Sequence, residues 1–445
     1  MTYNTGFVHK YGGTSVITPL QDHAIIQRTV REHALVQDGH SVLVTSGVGK
    51  TDRPKLTDIM YDVVKGVYQD TNWMYAKDVM LSKLQAHQLP TTLLDPLHNR
   101  IEHILSGTIT EPDKPYLIGY PELAQSTVLY HLGKHTYPTL DWHLVQAPYG
   151  MVGDGIIDAP INKQASLDLI REIAPGGITV VPGFIGKGPV TLERGSSDAT
   201  ATYWGAALGL DEVIIYSDRP GILPIHPDII DGLAPLRELT HAEAHFYSGW
   251  GAGIIQQVAL VPVRNTDTKL KIKSSMQPDL PGTIIGGRPY TDNHGVKAIA
   301  YVPGLTSVTV HGLSDRPGSG AEVGAVFGAH GVSVDFLADG TDKRAHIVNA
   351  NNPQFGPLLA ALYQKHPVET SGELVRVALV GDGMDLAARL NGGHAIEVMT
   401  DTLRSERIQT YYRTAFARDT THSVFVGKED GHRLVRALAK NLGML

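Results

Sequence analysis

Between Gly183 and Ala201 the chain reads Gly-Phe-Ile-Gly-Lys-Gly-Pro-Val-Thr-Leu-Glu-Arg-Gly-Ser-Ser-Asp-Ala-Thr-Ala, a glycine-rich turn that carries Arg194, Ser196, Ser197 and Asp198 into an apolar run. Upstream, Gly177 to Pro182 is a short β-branched run of the kind found in buried strands, and downstream Ala199 to Leu208 is rich in helix formers. A turn placed between a strand and a helix N-terminus presents unpaired N–H groups and the positive end of the helix dipole, and so attracts phosphate or carboxylate. Arg194 would add a bidentate clamp, and Asp198 would hold a metal ion or align a phosphoryl group. The plainer reading of the same residues is a strand–loop–helix joint in which Ser196, Ser197 and Asp198 cap the helix.

A second turn has related chemistry. In Val8 to Val16, Lys10 ends the first apolar run and is followed by Gly12, Gly13, Thr14 and Ser15. A lysine there can neutralise a phosphoryl group in flight, while the glycines let the backbone come close. The spacing is not that of the Gly-x4-Gly-Lys-Ser/Thr loop, so nucleotide binding of that type is not implied. Ser41 to Asp52 repeats the form, with Ser46, Gly47, Gly49 and Thr51 following a β-branched run. Three apolar strands, each leading into such a turn, point to an open α/β sheet whose site lies at the C-terminal ends of its strands.

Taken in order, these segments resemble the aspartate kinases of the amino acid kinase family. Lys10 to Ser15 is similar to the family's Lys-Phe-Gly-Gly-Thr-Ser, with Tyr11 for Phe. Val44 to Thr51 resembles Val-Ser-Ala-Met-Gly-x-Thr, and Glu193 to Asp198 resembles Gly-Arg-Gly-Gly-Ser-Asp. Ile215-Tyr-Ser-Asp-Arg-Pro-Gly-Ile222 is similar to the family's nucleotide segment. The resemblance implies catalytic roles for Lys10 and Asp198. It implies acceptor contacts from Thr14, Ser46, Thr51, Glu122, Arg194 and Ser197, with Glu122 on the substrate ammonium and Arg194 on its carboxylate. Nucleotide contacts would come from Gly12, Gly13, Ser15, Ser217, Asp218 and Gly221. The implied reaction is attack of an aspartate carboxylate oxygen on the γ-phosphate of ATP with Mg2+ to give an acyl phosphate, which needs no general base because the nucleophile is already ionised near neutral pH. Departures fall in the nucleotide half. Leu223 stands for Tyr, Asp228 for Arg, and Gly251 to Gln257 lacks the family's Lys, His and Pro, with Gly253 and Gln256 at two of those places.

Composition frames this reading. A length of 445 residues predicts two or three domains. A net charge of -7 argues against a nucleic-acid partner, and the absence of cysteine excludes disulfides, thiol catalysis and thiolate metal sites. The 21 histidines are scattered, and pairs such as His241 with His245 have i,i+4 spacing without a nearby Glu in the arrangement of a zinc protease, so no dedicated metal site is expected. With no signal-like N-terminus and no apolar stretch of about 18 residues, the cytoplasm is the expected compartment.

The elements that must position the site alternate between strand and helix from residue 1 to 286, with a Tyr-containing helical region from about Leu56 to Leu132 covering the acceptor side. A hinge-like stretch, Gly286 to Gly295, follows. Beyond it, strands are expected at Val296–Val302, Leu305–His311, Val332–Ala338, Ala345–Ala350, Leu374–Val380, Ala395–Met399 and Ser423–Val426. Helices are expected at Gly318–His330, Met384–Leu390 and Gly431–Leu442. This tail resembles paired ACT modules, βαββαβ units that follow aspartate kinase domains, here 296–365 and 366–445. The resemblance implies an amino acid effector near Val332, Ser333 and Asp335 and a homodimer or higher homo-oligomer, with assembly alone as the other reading. Three functions stay open: an aspartate kinase, a kinase of another amino acid, and a non-catalytic amino acid sensor.

Overall fold

The computed structural model describes residues 6–36, 39–146, 149–188, 190–193, 195–252, 255–287, 295–313, 318–340, 342–384, 395–415 and 421–445. The chain divides into two compact units. The first comprises Met1–Ile222, Pro235–Ser248 and Gly253–Gly287, and the second Leu223–Ala234, Gly249–Ala252 and Arg288–Leu445.

The first unit is built on strands β1 (Gly6–Tyr11), β2 (His40–Thr45), β3 (Trp142–Leu144), β4 (Ile178–Pro182), β7 (Glu212–Ser217), β8 (Glu238–Thr240), β9 (Lys269–Ser274) and β10 (Thr283–Gly287), with β5 (Ile185–Gly186) and β6 (Val190–Thr191) forming a separate ribbon. The sheet order is β3-β4-β2-β1-β7-β9-β10-β8. Strands β3, β4, β2, β1, β7 and β9 run parallel, and β10 is antiparallel to β9. Every residue of β1 and β4 is buried, as expected for parallel strands covered on both faces. Helices α1 (Pro19–His33) and α6 (Tyr120–Thr136) lie against the sheet, and with α2 (Leu56–Val64), α3 (Gln69–Ala86), α4 (Asp95–Leu105) and α5 (Lys114–Ile118) they enclose an apolar core that includes Ile26, Leu43, Met60, Met80, Leu84 and Leu129. Helix α8 (Ser196–Leu208) packs on β1, β2 and β7, with α7 (Lys163–Ile173) beside it.

The second unit is an antiparallel sheet of β11 (Ala298–His311), β12 (Val334–Asp339), β13 (Lys343–Asn349), β14 (Val368–Thr370), β15 (Leu374–Val380), β16 (Thr410–Ala415) and β17 (Thr421–Gly427), ordered β12-β13-β11-β15-β17-β16 with β14 also paired to β11. It combines two small α+β modules. Two strands expected at Val296–Val302 and Leu305–His311 are one strand. Its first half pairs with β15, its second half with β13 and β14, and the register shifts between Val302 and Leu305. The modules therefore interleave. Ile299 packs with Val377, Leu434 and Met399, whereas Val308 and Val310 pack with Phe327 and Leu358.

Three further expectations need correction. Ala395–Met399 is not a strand but the start of a helix, Ala395–Ser405, because Ala395, Met399, Thr402 and Leu403 are buried at helical spacing. Five residues were too short a window to separate the periods. The boundary at 366 falls before β14, whose Val368 packs with the first module's core. The segment Leu223–Ala234 joins the second unit, where Ile225 and Ile229 lie in the core with Ile299, and the Ile299 N–H donates to the Pro224 carbonyl at 2.8 Å. Strand β16 was not anticipated, and the helix expected at Met384–Leu390 lies, apart from Met384, outside the described residues.

This interleaving predicts that Ile299→Ala, which empties a 1 % exposed position, costs about 2–5 kcal/mol. In hydrogen exchange the loss of protection should centre on β15 and β17 and spare β13.

Candidate active site

Four parallel strands end at one level. Pro182, Thr45, Tyr11 and Tyr216 are consecutive partners across β4, β2, β1 and β7. The residues that follow in the first three, Gly183, Ser46 and Gly12, therefore leave the sheet side by side, next to Ser217, the last residue of β7. The turns touch. The Gly49 N–H donates to the Gly13 carbonyl at 2.9 Å, and the Ser46 and Gly183 N–H groups bond to Tyr11 and Thr45 carbonyls. A Cβ on Gly49 would meet the Gly13 carbonyl carbon at 2.5 Å and one on Gly13 would meet the Gly47 oxygen at 2.8 Å, so only glycine fits at either place.

A cavity of about 540 Å³ opens over these turns, lined by Lys10, Gly12, Gly13, Thr14, Ser46, Glu122, Ser197, Asp198 and Asp218 from among the expected residues. Strand periodicity puts Lys10 on the same face as Val8, which faces Gly205 of α8, so its ammonium reaches the first turn of that helix. There Lys10 Nζ lies 2.5 Å from Asp198 Oδ1, both side chains about one-tenth exposed. The contact is an ion pair off the line of a hydrogen bond, and Asp198 Oδ1 has no hydrogen-bond donor among the described residues. Below it the Tyr11 and Tyr216 rings stack at 4.7 Å, Arg28 Nη1 donates to the Tyr11 hydroxyl at 3.0 Å, and buried His9 meets Glu32 at 2.8 Å.

Helix α8 begins at Gly195, which has φ +87° and no side-chain cap. The Ser196 hydroxyl donates to the Glu193 carbonyl, and Ser197 and Asp198 face the cavity. The capping reading of these three residues therefore does not hold. A Cβ on Gly195 would sit 2.5 Å from Gln256, and one on Gly183 would sit 2.7 Å from Ser197, which fixes both turns as glycine.

Glu122 occupies the first turn of α6 and is 4 % exposed. Thr57 donates to its Oε1 at 3.2 Å, while Oε2 has no partner among the described residues. Burial pushes the carboxyl up to about 7, against hydrogen bonds from the Gly47 backbone and Thr57 and the nearby charge of Lys55. An acid held near neutrality with one open oxygen is suited to a cation brought by a ligand.

Not every expected residue arrives. Thr51 is exposed and donates to Asp52 at 2.8 Å in a surface turn. Ser217 closes a turn with Arg219, and Gly221 packs against Thr283 and Pro235, neither of them lining the cavity. Ser15 is buried behind the turn, and the Gly12 N–H points to the Tyr216 carbonyl at 3.4 Å, so it is already engaged. Arg194 lies outside the described residues, as does Gly253. Of the departures, Gln256 lines the cavity, whereas Leu223 and Asp228 belong to the second unit, with Asp228 exposed. In that unit Val332 is 5 % exposed and packs with Val323 and Phe327, so its side chain is core, while Ser333 and Asp335 are exposed.

Lys55, Thr57, Asp58 and Phe184 also line the cavity and were missed. The first three open α2, where the only signal was their position after the Ser46–Thr51 turn. Among the described residues no cluster of three His, Asp or Glu is placed to hold a metal, and no helix is long and apolar enough to cross a membrane.

The sequence profile of the amino acid kinase family matches residues 6–274. The chain is 28 % identical over 358 residues to chloroplastic aspartokinase 3 of Arabidopsis thaliana, covering 74 % of this chain and 62 % of the relative. It is 29 % identical over 243 residues to lysine-sensitive aspartokinase 3 of Escherichia coli, covering 52 % and 54 %. The chain thus spans less than two thirds of the length of these relatives. Its fold matches E. coli aspartokinase III in complex with aspartate and ADP at a TM-score of 0.81 with 21 % identity, over 98 % of this chain and 99 % of that one. Clostridium acetobutylicum aspartate kinase matches at 0.78 and 18 %, over the same shares. The kinase-like open sheet followed by ACT-like modules is therefore the fold, and the chain belongs to the amino acid kinase family.

Glu122 supplies a pH test. Its folded-state value of about 7 exceeds the ordinary 4.5, so between those limits the folded protein holds the extra proton and stability falls as pH rises. Glu122→Gln removes that component. Denaturant unfolding should show the variant gaining on the unmodified protein by on the order of 3 kcal/mol between pH 4 and 8. A difference that does not change with pH would contradict the assignment.

Proposed function

We propose that the chain is an aspartate kinase, transferring the γ-phosphate of ATP to the side-chain carboxylate of L-aspartate. The observation that carries this reading is the grouping of the Lys10–Asp198 ion pair, the glycine turns and the half-neutral Glu122 around one cavity. A triphosphate entering over Gly13 would draw Lys10 from Asp198 and take its charge. Glu122 would ionise against the substrate ammonium, with release of its proton where it is protonated. Ser46, Ser197, Thr14 and Thr57 offer hydroxyls to the remaining oxygens, and Arg194 would pair with the α-carboxylate. One acceptor carboxylate oxygen then bonds to the γ-phosphorus as the bond to the β,γ-bridging oxygen breaks, leaving ADP and 4-phospho-L-aspartate without a proton transfer. Positioning and charge neutralisation do the work.

Mg2+ would supply positive charge that offsets the charge of the triphosphate. It usually keeps several waters and needs only one or two protein carboxylates. Asp198, once Lys10 is drawn to the phosphates, and Asp218 fit that requirement. Residues 1–286 would form the catalytic domain, less the segments that join the second unit. The ACT-like modules would take an amino acid effector, near exposed Ser333 and Asp335 or across a homo-oligomer interface.

Lys10→Ala should lower ADP formation with aspartate by about 10²-fold or more. The aspartate dissociation constant should change less than threefold, because Glu122 and its surroundings are untouched. Turnover that survives the substitution would remove Lys10 from the mechanism.

A further inference from the structure

One buried charge cluster is not used by this chemistry. Asp22, in the first turn of α1, is fully buried, and Lys83 in the last turn of α3 is 4 % exposed. Lys83 Nζ lies 2.9 Å from Asp22 Oδ2 and 3.1 Å from Oδ1, and it donates to the Val16 carbonyl at 2.6 Å. His87 Nε2 contacts Oδ2 at 2.9 Å, and Gln125 Nε2 donates to Oδ1 at 2.9 Å. One carboxylate therefore gathers partners from α3, from the residue after it, and from α6.

The two outer ends of this cluster reach the site. Val16 directly follows the Gly13–Ser15 turn, and Gln125 lies one helical turn along α6 from Glu122. We propose that the Asp22–Lys83 pair is a positioning device that sets the phosphate-binding turn at a fixed distance from Glu122, acting through Val16 on one side and Gln125 on the other. The proposal rests on the kinase reading given above.

Stability alone is a poor reason for such a pair. Moving two charges out of water is costly, and replacing a buried ion pair with apolar groups of similar size is often neutral or better. The surroundings are apolar, with Ile26, Leu84 and Leu129 in the same core, and burial pulls the Lys83 ammonium down against the opposing charge of Asp22. Apolar contacts are non-directional and tolerate sliding, whereas five contacts at 2.6–3.1 Å fix one arrangement of loop and helix. Tolerances of about half an ångström matter where two ligands must meet in line.

Two variants separate positioning from folding. Asp22→Leu with Lys83→Met removes both charges together. It should keep the thermal midpoint within about 5 °C and lower kcat/KM for aspartate at least tenfold. Gln125→Leu keeps the ion pair but cuts the tie to α6. It should raise the aspartate KM at least fivefold and leave the ATP KM within twofold. A folded double variant with kinetic constants within twofold of the parent would overturn the proposal. If the double variant does not fold, Gln125→Leu decides alone, and an unchanged aspartate KM overturns it. Should the unmodified protein show no turnover, the kinase reading fails. The same ratios are then read as calorimetric dissociation constants for aspartate and for Mg-ATP, where unchanged values again overturn the proposal.

Discussion

The site depends on the contact between the turn after β1 and the turn after β2. Register places the ends of β4, β2, β1 and β7 in one row, so the following segments emerge closer together than side chains allow. Gly13 and Gly49 resolve the crowding by bringing backbone against backbone. The floor of the cavity therefore includes peptide groups, and Lys10, projecting from the end of β1 just before the glycines, brings positive charge to it. The sheet order changes direction around β1, with β2 on one side and β7 on the other, and in open α/β sheets such a point is where ligands bind.

Electrostatics then divides the cavity into two kinds of group. Lys10 and Asp198 offset each other's charge, so neither is left as an isolated buried charge. Among the described residues no cation is in contact with Glu122, and burial keeps it close to half protonated at neutral pH. A zwitterionic ligand with an ammonium supplies what Glu122 lacks, and an anionic phosphate competes with Asp198 for Lys10. On the proposed reading, incoming charges would replace both compensations.

The parts of this site that were legible in the sequence are those governed by local rules. A β-branched run followed by glycines and hydroxyls marks a strand and its C-terminal turn, and three such marks located Lys10, Gly13, Ser46 and Ser197 before any pairing was known. Thr51, Ser217 and Gly221 carry the same signature, yet the structure spends them on local turns or packing. Residue type alone cannot separate a turn that shapes itself from one that faces a ligand. Lys55, Thr57 and Gln256 carry no glycine signal and reach the cavity only through tertiary packing. The Asp22–Lys83 cluster joins residues 61 apart in sequence, which no local pattern records. In the second unit, strand pairing of β11 with both β13 and β15 overrides a boundary drawn from linear order, and the run Ala395–Met399 is too short to distinguish a strand from the start of the helix Ala395–Ser405.

The most direct test of the account is to incubate the purified protein with Mg-ATP, hydroxylamine and single amino acids, and to measure the hydroxamate formed by trapping the acyl phosphate. The account predicts hydroxamate with L-aspartate, dependent on ATP and lost when aspartate is omitted. Hydroxamate with a different amino acid and none with aspartate, or no hydroxamate with any, would contradict it.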